Sequence, residues 1–254
     1  MPNTIDIDEQ QLQHYARDGF VRIGKVLDGS EIDALHAWLD ELRERNDTGD
    51  YGLIVHNAWR QQPLVESIIT SEALTSAARA LTGQPRVRLF QDNLVWKLPG
   101  SARIEWHQDY SYQPLDGPQS VTLWLCLDHA TPESGCMHYI PGTHLLGERL
   151  AADFIAGTGQ PKRDDLPTLD WRARQDDVVA MRAEPGELLA HHPLVWHMSP
   201  KNRSPHHRRA FAVNWIGERV RWKPSQAPHP FNYELGLVDG DDICGQQFPL
   251  FPAE

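Results

Sequence analysis

The longest strand-like stretch of the chain reads Val87-Arg88-Leu89-Phe90-Gln91-Asp92-Asn93-Leu94-Val95-Trp96-Lys97. β-Branched and aromatic residues are frequent in it, and the turn residues Pro99-Gly100 follow it closely. Shorter strands are predicted downstream over residues 120–127, 137–140, 187–192 and 208–216. Because these strands do not alternate regularly with helices, the pattern predicts a mainly β protein with flanking helices. A double-stranded β-helix (a jelly roll, cupin-like) is the architecture that we expect.

Helices are predicted before this region, over residues 8–17, 30–45 and 71–81. Ser30 is the expected N-cap of the second helix, which has an apolar stripe on one face. Gly83 follows the third helix in the position of a C-terminal cap. These segments predict a helical layer that covers one side of the sheets.

The 254 residues are expected to form a single domain. Its parts are a helical N-terminal layer over about 8–83, a jelly-roll core over about 86–217 and an irregular tail over 222–254. Residues 150–180 are polar and rich in Gly, Pro and Asp, which is typical of a lid or a substrate loop.

The composition excludes several classes of protein. A formal net charge of −11 argues against a nucleic-acid binder, which needs a basic face. No apolar run approaches the roughly 18 residues of a membrane span, and the N-terminus lacks the pattern of a secretion signal. The three cysteines are scattered and lack zinc-ribbon spacing, so we expect reduced thiols in a cytoplasmic protein.

A His-x-Asp pair in Trp106-His107-Gln108-Asp109 is the first sign of chemistry. On an extended strand, residues i and i+2 project from the same face, so His107 and Asp109 could reach one metal ion. A second imidazole would complete a set of two histidines and one carboxylate, which leaves iron(II) with open positions for a co-substrate and oxygen. His197, placed by the pattern at the end of an apolar strand, is the candidate, in preference to His144, His191 and His192.

Arg208 lies 11 residues after His197, and a hairpin of that size would return it to the same cavity. A buried arginine requires an anionic partner, and a dicarboxylate co-substrate bound to the metal would supply one. Neighbouring strand residues face opposite ways, so Arg209 is expected to point outward and pair with acidic residues.

The chain resembles the phytanoyl-CoA dioxygenase family of iron(II)- and 2-oxoglutarate-dependent oxygenases over roughly residues 8–252. The similarity rests on the order and spacing of many segments. They are Lys97-Leu98-Pro99-Gly100, Trp106-His107-Gln108-Asp109, Leu123-Trp124-Leu125-Cys126-Leu127-Asp128, Glu133-Ser134-Gly135-Cys136-Met137, Ile140-Pro141-Gly142-Thr143-His144, Pro185-Gly186-Glu187-Leu188-Leu189, His197-Met198-Ser199, Asn202-Arg203-Ser204, Arg208-Arg209-Ala210 and Phe248-Pro249-Leu250.

The resemblance implies a role for each matching position. His107, Asp109 and His197 would ligate iron(II), and Arg208 would hold the distal carboxylate of 2-oxoglutarate. Further co-substrate contacts would come from Ser199, Asn93 and Trp124. Gln91 shares a strand face with Asn93 and is a candidate for substrate contact, whereas Gln108 would support the ligands from behind.

The implied reaction decarboxylates 2-oxoglutarate with oxygen to succinate and CO2, and hydroxylates a C–H bond of a small molecule. The carboxylate at Asp109 favours hydroxylation over halogenation, while desaturation and ring rearrangement stay open. The rival functions are a non-catalytic cupin-like binder of a metal or ligand, and a zinc hydrolase. Nine tryptophans suggest a pocket lined by flat rings, and no basic cluster favours an acyl-CoA substrate.

Overall fold

A computed structural model of the chain describes residues 5–46, 49–149, 166–227 and 229–252. The helices are α1 Glu9–Asp18, α2 Gly29–Glu44, α3 Pro63–Ile69, α4 Glu72–Thr82 and α5 Pro230–Glu234. The strands are β1 Phe20–Lys25, β2 Leu53–His56, β3 Val87–Lys97, β4 Ile104–His107, β5 Ser120–Cys126, β6 Met137–Tyr139, β7 Val179–Met181, β8 Glu187–His191, β9 His197–Ser199, β10 Arg208–Gly217 and β11 Leu250–Phe251.

Two antiparallel sheets form the body of the molecule. The larger has seven strands in the order β1-β8-β5-β10-β3-β11, with β2 also paired to β3. The smaller has four strands in the order β4-β9-β6-β7. Side chains of both sheets line one cavity between them. This arrangement confirms the cupin-like, mainly β fold that the strand pattern predicts.

The helices of the first third cover the outer face of the larger sheet, as expected. Leu35 and Leu39 of α2 and Leu74 of α4 are fully buried in one cluster with sheet residues such as Leu123 and Phe211. The N-cap of α2 is Asp28, whose carboxylate accepts the backbone N–H of Glu31 at 3.0 Å, so the expectation of Ser30 as the cap was wrong. The short helix α3 was not predicted.

A β-bulge in β3 determines which of its side chains face the cavity. Asn214 of β10 pairs with Gln91, but the next residue of β10 pairs with Leu89, so Phe90 is the extra residue. After this bulge, Gln91, Asn93 and Val95 line the cavity. The alternate residues, including Leu94, pack beneath the helices.

The segment after residue 222 is a packed layer rather than a loose tail. Trp222, Phe231 and Phe248 are all buried in one aromatic cluster around Phe90. The ring of Phe248 stacks on that of Phe90, with 5.8 Å between the ring centroids. This layer places helix α5 at the rim of the cavity.

The expected lid or substrate loop at 150–180 lies partly outside the described residues. Its described end contains a 3-10 turn, Arg172–Asp177, and strand β7, which pairs with β6. Within the described ranges, no helix has the length and apolar character needed to cross a membrane.

Candidate metal and co-substrate site

Two imidazoles and one carboxylate converge at the floor of the cavity. His107 ends β4 and lies directly opposite His197, which begins β9, and Asp109 opens the 3-10 turn that follows β4. The Nε2 atoms of His107 and His197 lie 3.7 Å and 3.4 Å from Oδ1 of Asp109. The potential ligand atoms of the three residues lie within 4.8 Å of one another, and no other such group occurs in the described parts of the chain.

Backbone carbonyls fix the orientation of both imidazoles. Nδ1 of His107 lies 2.7 Å from the carbonyl oxygen of Glu105, and Nδ1 of His197 lies 3.0 Å from that of Val195. Because a carbonyl oxygen only accepts, each Nδ1 carries the hydrogen and each Nε2 presents a lone pair to Asp109 and the space beside it. Burial, with the neighbouring His197, lowers the pKa of His107 to about 3, so its imidazole is uncharged at neutral pH.

Asp109 is anchored through its second carboxylate oxygen. Oδ2 accepts hydrogen bonds from Oγ1 of Thr122 at 2.6 Å and from Nε2 of His191 at 3.0 Å. Nδ1 of His191 in turn accepts from the hydroxyl of Tyr139 at 3.0 Å. Burial opposes ionisation of Asp109, but the imidazoles of His197 and His191 outweigh it and hold the pKa of this carboxyl well below its usual range. Oδ1 is left facing His107 and His197.

Arg208 begins β10 with its side chain pointing into the protein, where it is 1% exposed. Its Nη2 donates to Oγ of Ser199 at 3.1 Å, and that hydroxyl donates to the carbonyl of Gly135 at 2.8 Å. Nε and Nη1 of Arg208 are buried without a hydrogen-bond partner. The guanidinium carbon lies 5.5 Å from the centre of the Trp124 ring. Burial lowers the pKa of Arg208 to about 10, which leaves it charged at neutral pH.

Lys97, the cross-strand neighbour of Arg208, is a second fully buried basic residue. Its Nζ donates to the hydroxyl of Ser199 at 3.0 Å, to the carbonyl of Ser199 at 3.1 Å and to the carbonyl of Pro200. Burial and the charge of Arg208 lower the pKa of Lys97 to about 6. None of the carboxylates that the structure describes forms an ion pair with either residue, so this end of the cavity is electropositive.

The other residues singled out in the sequence are also accounted for. Asn93, Trp124 and Gln91 line the same cavity of about 950 Å³. Arg209 points the other way and pairs with Asp128 at 2.8 Å. Gln108 is buried behind the site and donates to the carbonyls of Leu194 and Gly147.

Some expectations were wrong or incomplete. Trp124 is the one tryptophan, among the described residues, that lines the cavity, so a pocket lined by many tryptophans is wrong. His197 begins a strand rather than ending one. His191, set aside in the sequence, touches Asp109, and Lys97 touches Ser199. Nothing in the sequence reveals either contact, because each joins residues that are distant in the chain and are not paired in a sheet.

A cupin-like fold with two imidazoles and a carboxylate around one point defines a class of metal-dependent enzymes. The sequence model of one family, described as Phytanoyl-CoA dioxygenase (PhyH), matches residues 15–210. The chain belongs to this family. It is therefore an iron- and 2-oxoglutarate-dependent dioxygenase, with oxygen as the second co-substrate.

Individual relatives agree with this assignment. A methylphosphonate hydroxylase of Gimesia maris is 26% identical over 229 residues, which cover 82% of this chain and 80% of the relative. The crystal structure of the non-heme alpha ketoglutarate dependent carbocyclase SnoK has a TM-score of 0.81 at 24% identity and covers 98% of this chain and 99% of that one. The epimerase SnoN in complex with Fe3+, alpha ketoglutarate and nogalamycin RO has a TM-score of 0.77 at 22% identity, with coverages of 95% and 97%. The two structures show the shared fold.

Proposed function

We propose that the chain hydroxylates a C–H bond of a small-molecule substrate, consuming 2-oxoglutarate and oxygen and releasing succinate and CO2. His107, Asp109 and His197 hold the iron(II) ion in this proposal. The observation that carries it is the convergence of their ligand atoms, within 4.8 Å, in a cavity that also contains a buried, incompletely partnered arginine. The name of the Gimesia maris relative, a hydroxylase, supports this outcome of the reaction.

The donor set suits iron(II). Imidazole nitrogens and a carboxylate oxygen are ligands that bind this metal, and three protein ligands on one side leave positions for 2-oxoglutarate and oxygen. Nδ1 of each histidine faces a carbonyl, which directs Nε2 towards the shared space. Oδ1 of Asp109 faces these two atoms. The set is therefore oriented before any metal binds, which lowers the cost of binding.

The electropositive end of the cavity suits the distal carboxylate of 2-oxoglutarate. Nε and Nη1 of Arg208 need an acceptor, and a carboxylate can accept from a guanidinium through two parallel hydrogen bonds. Ser199 holds the guanidinium by accepting a hydrogen bond from it, and the same hydroxyl oxygen accepts from Lys97. Asn93 and Trp124 contact the body of the co-substrate from the cavity wall.

When bound, iron and 2-oxoglutarate supply the oxidising power that breaks the C–H bond. The side chains of the protein bind the metal and the co-substrate and orient them. The two imidazoles and the anchored Asp109 fix the metal position, while Arg208 fixes one end of the co-substrate. Gln91, on the same strand face as Asn93, contacts the substrate. Among the described residues, the carboxylates that line the cavity are Asp109, which serves as a ligand, and the exposed Glu234. A zinc hydrolase would need a general base beside the metal.

Turnover of 2-oxoglutarate tests the proposal directly. We expect purified protein with iron(II), oxygen and 2-oxoglutarate to form succinate slowly, and faster with a substrate from a metabolite panel, whose mass then rises by one oxygen. Succinate is measured by chromatography and the product by mass spectrometry. Asp109→Ala provides the inactive control. Succinate formation at the same rate by Asp109→Ala, or its absence from the wild type, would contradict the proposal.

The anchor of Asp109 gives a second test. Thr122→Val removes the donor to Oδ2 without changing the side-chain volume much, and we expect iron(II) affinity to fall about tenfold, a usual cost of losing a hydrogen bond behind a metal ligand. Thr75→Val in α4 is the matched control, because Thr75 is equally buried but bonds only to its own helix. Equal iron affinities in both variants would show that the Thr122 hydrogen bond does not position Asp109.

A further inference from the structure

A hydrogen-bonded row of uncharged polar side chains extends from Asp109 along one wall of the cavity. Oγ1 of Thr122 donates to Asp109, and Nδ2 of Asn214 donates to that same Oγ1 at 2.8 Å. Oδ1 of Asn214 accepts from Nε2 of Gln91 at 3.4 Å and from Nδ2 of Asn93 at 3.5 Å. Both of these last contacts are at the long limit for a hydrogen bond. The amide oxygen of Asn214 can therefore accept a stronger donor, such as a ligand hydroxyl.

This row of hydrogen-bonded side chains ends at two histidines in the outer part of the cavity. Nε2 of His229 lies 3.1 Å from Oε1 of Gln91, and Nδ1 of His56 lies 2.6 Å from Oδ1 of Asn93. His229 also accepts the backbone N–H of Phe231 through its Nδ1, at 3.2 Å. An imidazole that accepts at one nitrogen and donates at the other is uncharged. Burial and the neighbouring His56 lower the pKa of His229 to about 4, in agreement with this.

Two arginines line the cavity among the residues that the structure describes, and neither is hydrogen-bonded to this row of polar side chains. Arg208 belongs to the co-substrate end. The other, Arg60, packs its guanidinium 5.3 Å from the Trp59 ring and 5.5 Å from the Phe231 ring, and Nη2 donates to the carbonyl of Gln247 at 3.0 Å. The amide wall itself contains no cationic side chain among the described residues, so a substrate anion placed against it would lack a direct counter-charge, which costs several kcal/mol.

The rest of the cavity lining is largely apolar and partly aromatic. It includes Ile54, Val95, Ile104, Met198 and Phe231. The whole cavity of about 950 Å³ is at the upper end of the range for sites that hold drug-sized ligands, so it accommodates more than a small acid beside the co-substrate. Rigid rings fill such a space with little loss of conformational entropy.

We propose that the substrate is an uncharged, ring-containing molecule that carries hydroxyl groups. Its hydroxyls lie on the wall formed by Gln91, Asn214 and His229, and its rings lie on the apolar part of the lining. Hydroxyl groups both donate and accept hydrogen bonds, and so do the side-chain amides of this wall. This assignment rests on the proposed function, and it separates the chain from relatives named for phosphonates, such as the methylphosphonate hydroxylase.

Binding to matched pairs of probes tests the assignment. The uncharged probes are estriol, a phenyl glucoside and a hydroxylated flavanone; each is compared with its own sulfate ester, and methylphosphonate is the small anion. Affinities are measured by calorimetry on protein loaded with iron(II) and 2-oxoglutarate in the absence of oxygen. We expect at least one uncharged probe to bind, and its ester to bind about tenfold or more weakly because the sulfate finds no cation.

A charge variant makes the result specific to the wall. Gln91→Lys should weaken binding of the uncharged probe and strengthen binding of its sulfate ester. Gln13→Lys, on the outside of α1, should bind both as the wild type does. The assignment is overturned if no uncharged probe binds, if esters or methylphosphonate bind as tightly, or if both lysine variants respond alike. In each of these cases 2-oxoglutarate binding and slow succinate formation still support the proposed function; their loss in the wild type would overturn the proposed function itself.

Discussion

Arg208→Met is expected to weaken 2-oxoglutarate binding by about a hundredfold or more, since truncating one partner of a buried charge pair costs about 2–5 kcal/mol. The free protein should not lose stability. Arg208 is buried beside Lys97 with two nitrogens unpartnered, and replacing such a charge by an apolar group is neutral or stabilising. The measurements are calorimetric titration with 2-oxoglutarate and thermal unfolding with and without it.

Arg209→Met is the matched control from the next residue of the same strand. Arg209 forms hydrogen bonds to both carboxylate oxygens of Asp128, at 2.8 Å each, on the side away from the cavity. Losing this pair should lower the free energy of unfolding by about 2–3 kcal/mol and leave 2-oxoglutarate affinity unchanged. The two variants are thus expected to show opposite effects. Wild-type affinity for 2-oxoglutarate in Arg208→Met would contradict the assignment of Arg208.

His197→Ala is expected to abolish stable iron binding, with a loss in affinity of more than about a hundredfold. Changing a residue that only hydrogen-bonds a metal ligand already lowers metal affinity by about ten- to a hundredfold. His197 is itself one of the three protein ligands in the proposal. Iron(II) at about a hundred times its dissociation constant should stabilise the wild type by about 2.7 kcal/mol and the variant by nothing. Thermal unfolding under nitrogen and the iron content after desalting measure both effects.

His206→Ala is the control for this second prediction. His206 is exposed in the turn before β10 and does not line the cavity, so its removal should leave iron content unchanged. A chelator should lower the melting temperature of the wild type and of His206→Ala equally. If His197→Ala kept one iron per chain, another group would have to replace the ligand. His191, 4.4 Å from His197 between ring centroids, is the neighbouring imidazole that is not already assigned to the metal.

Much of the fold could be predicted because its pattern is local. Strand β3 occupies the predicted residues, and α4 lies within one residue of its prediction, between the caps Ser71 and Gly83. Helix α3 was missed because it has only seven residues, too few to show a clear period. The packing of Trp222 and Phe248 on Phe90 joins distant segments and has no local signal.

The residues of the site also fall into some that the local sequence predicts and others that it does not. The spacing of His107 and Asp109 was visible in the sequence, and the short strand pairing opposite His197 explains why these groups meet. The contacts of His191 with Asp109 and of Lys97 with Ser199 join residues that are distant in the chain and unpaired in the sheets, which composition and periodicity do not specify. A bulge at Phe90 changes the side-chain alternation of β3, so register cannot be extended from one end of this strand to the other.

In the proposed function, the packed layer after residue 222 contributes to substrate contact but supplies no residue to the iron or 2-oxoglutarate site. Every residue assigned to iron or 2-oxoglutarate lies within 15–210, the part that matches the family. Asn214, His229 and helix α5, which form much of the outer cavity, come later in the chain. Exchange of this terminal layer between proteins of similar fold could therefore redirect a common oxidising centre to new compounds without rebuilding it.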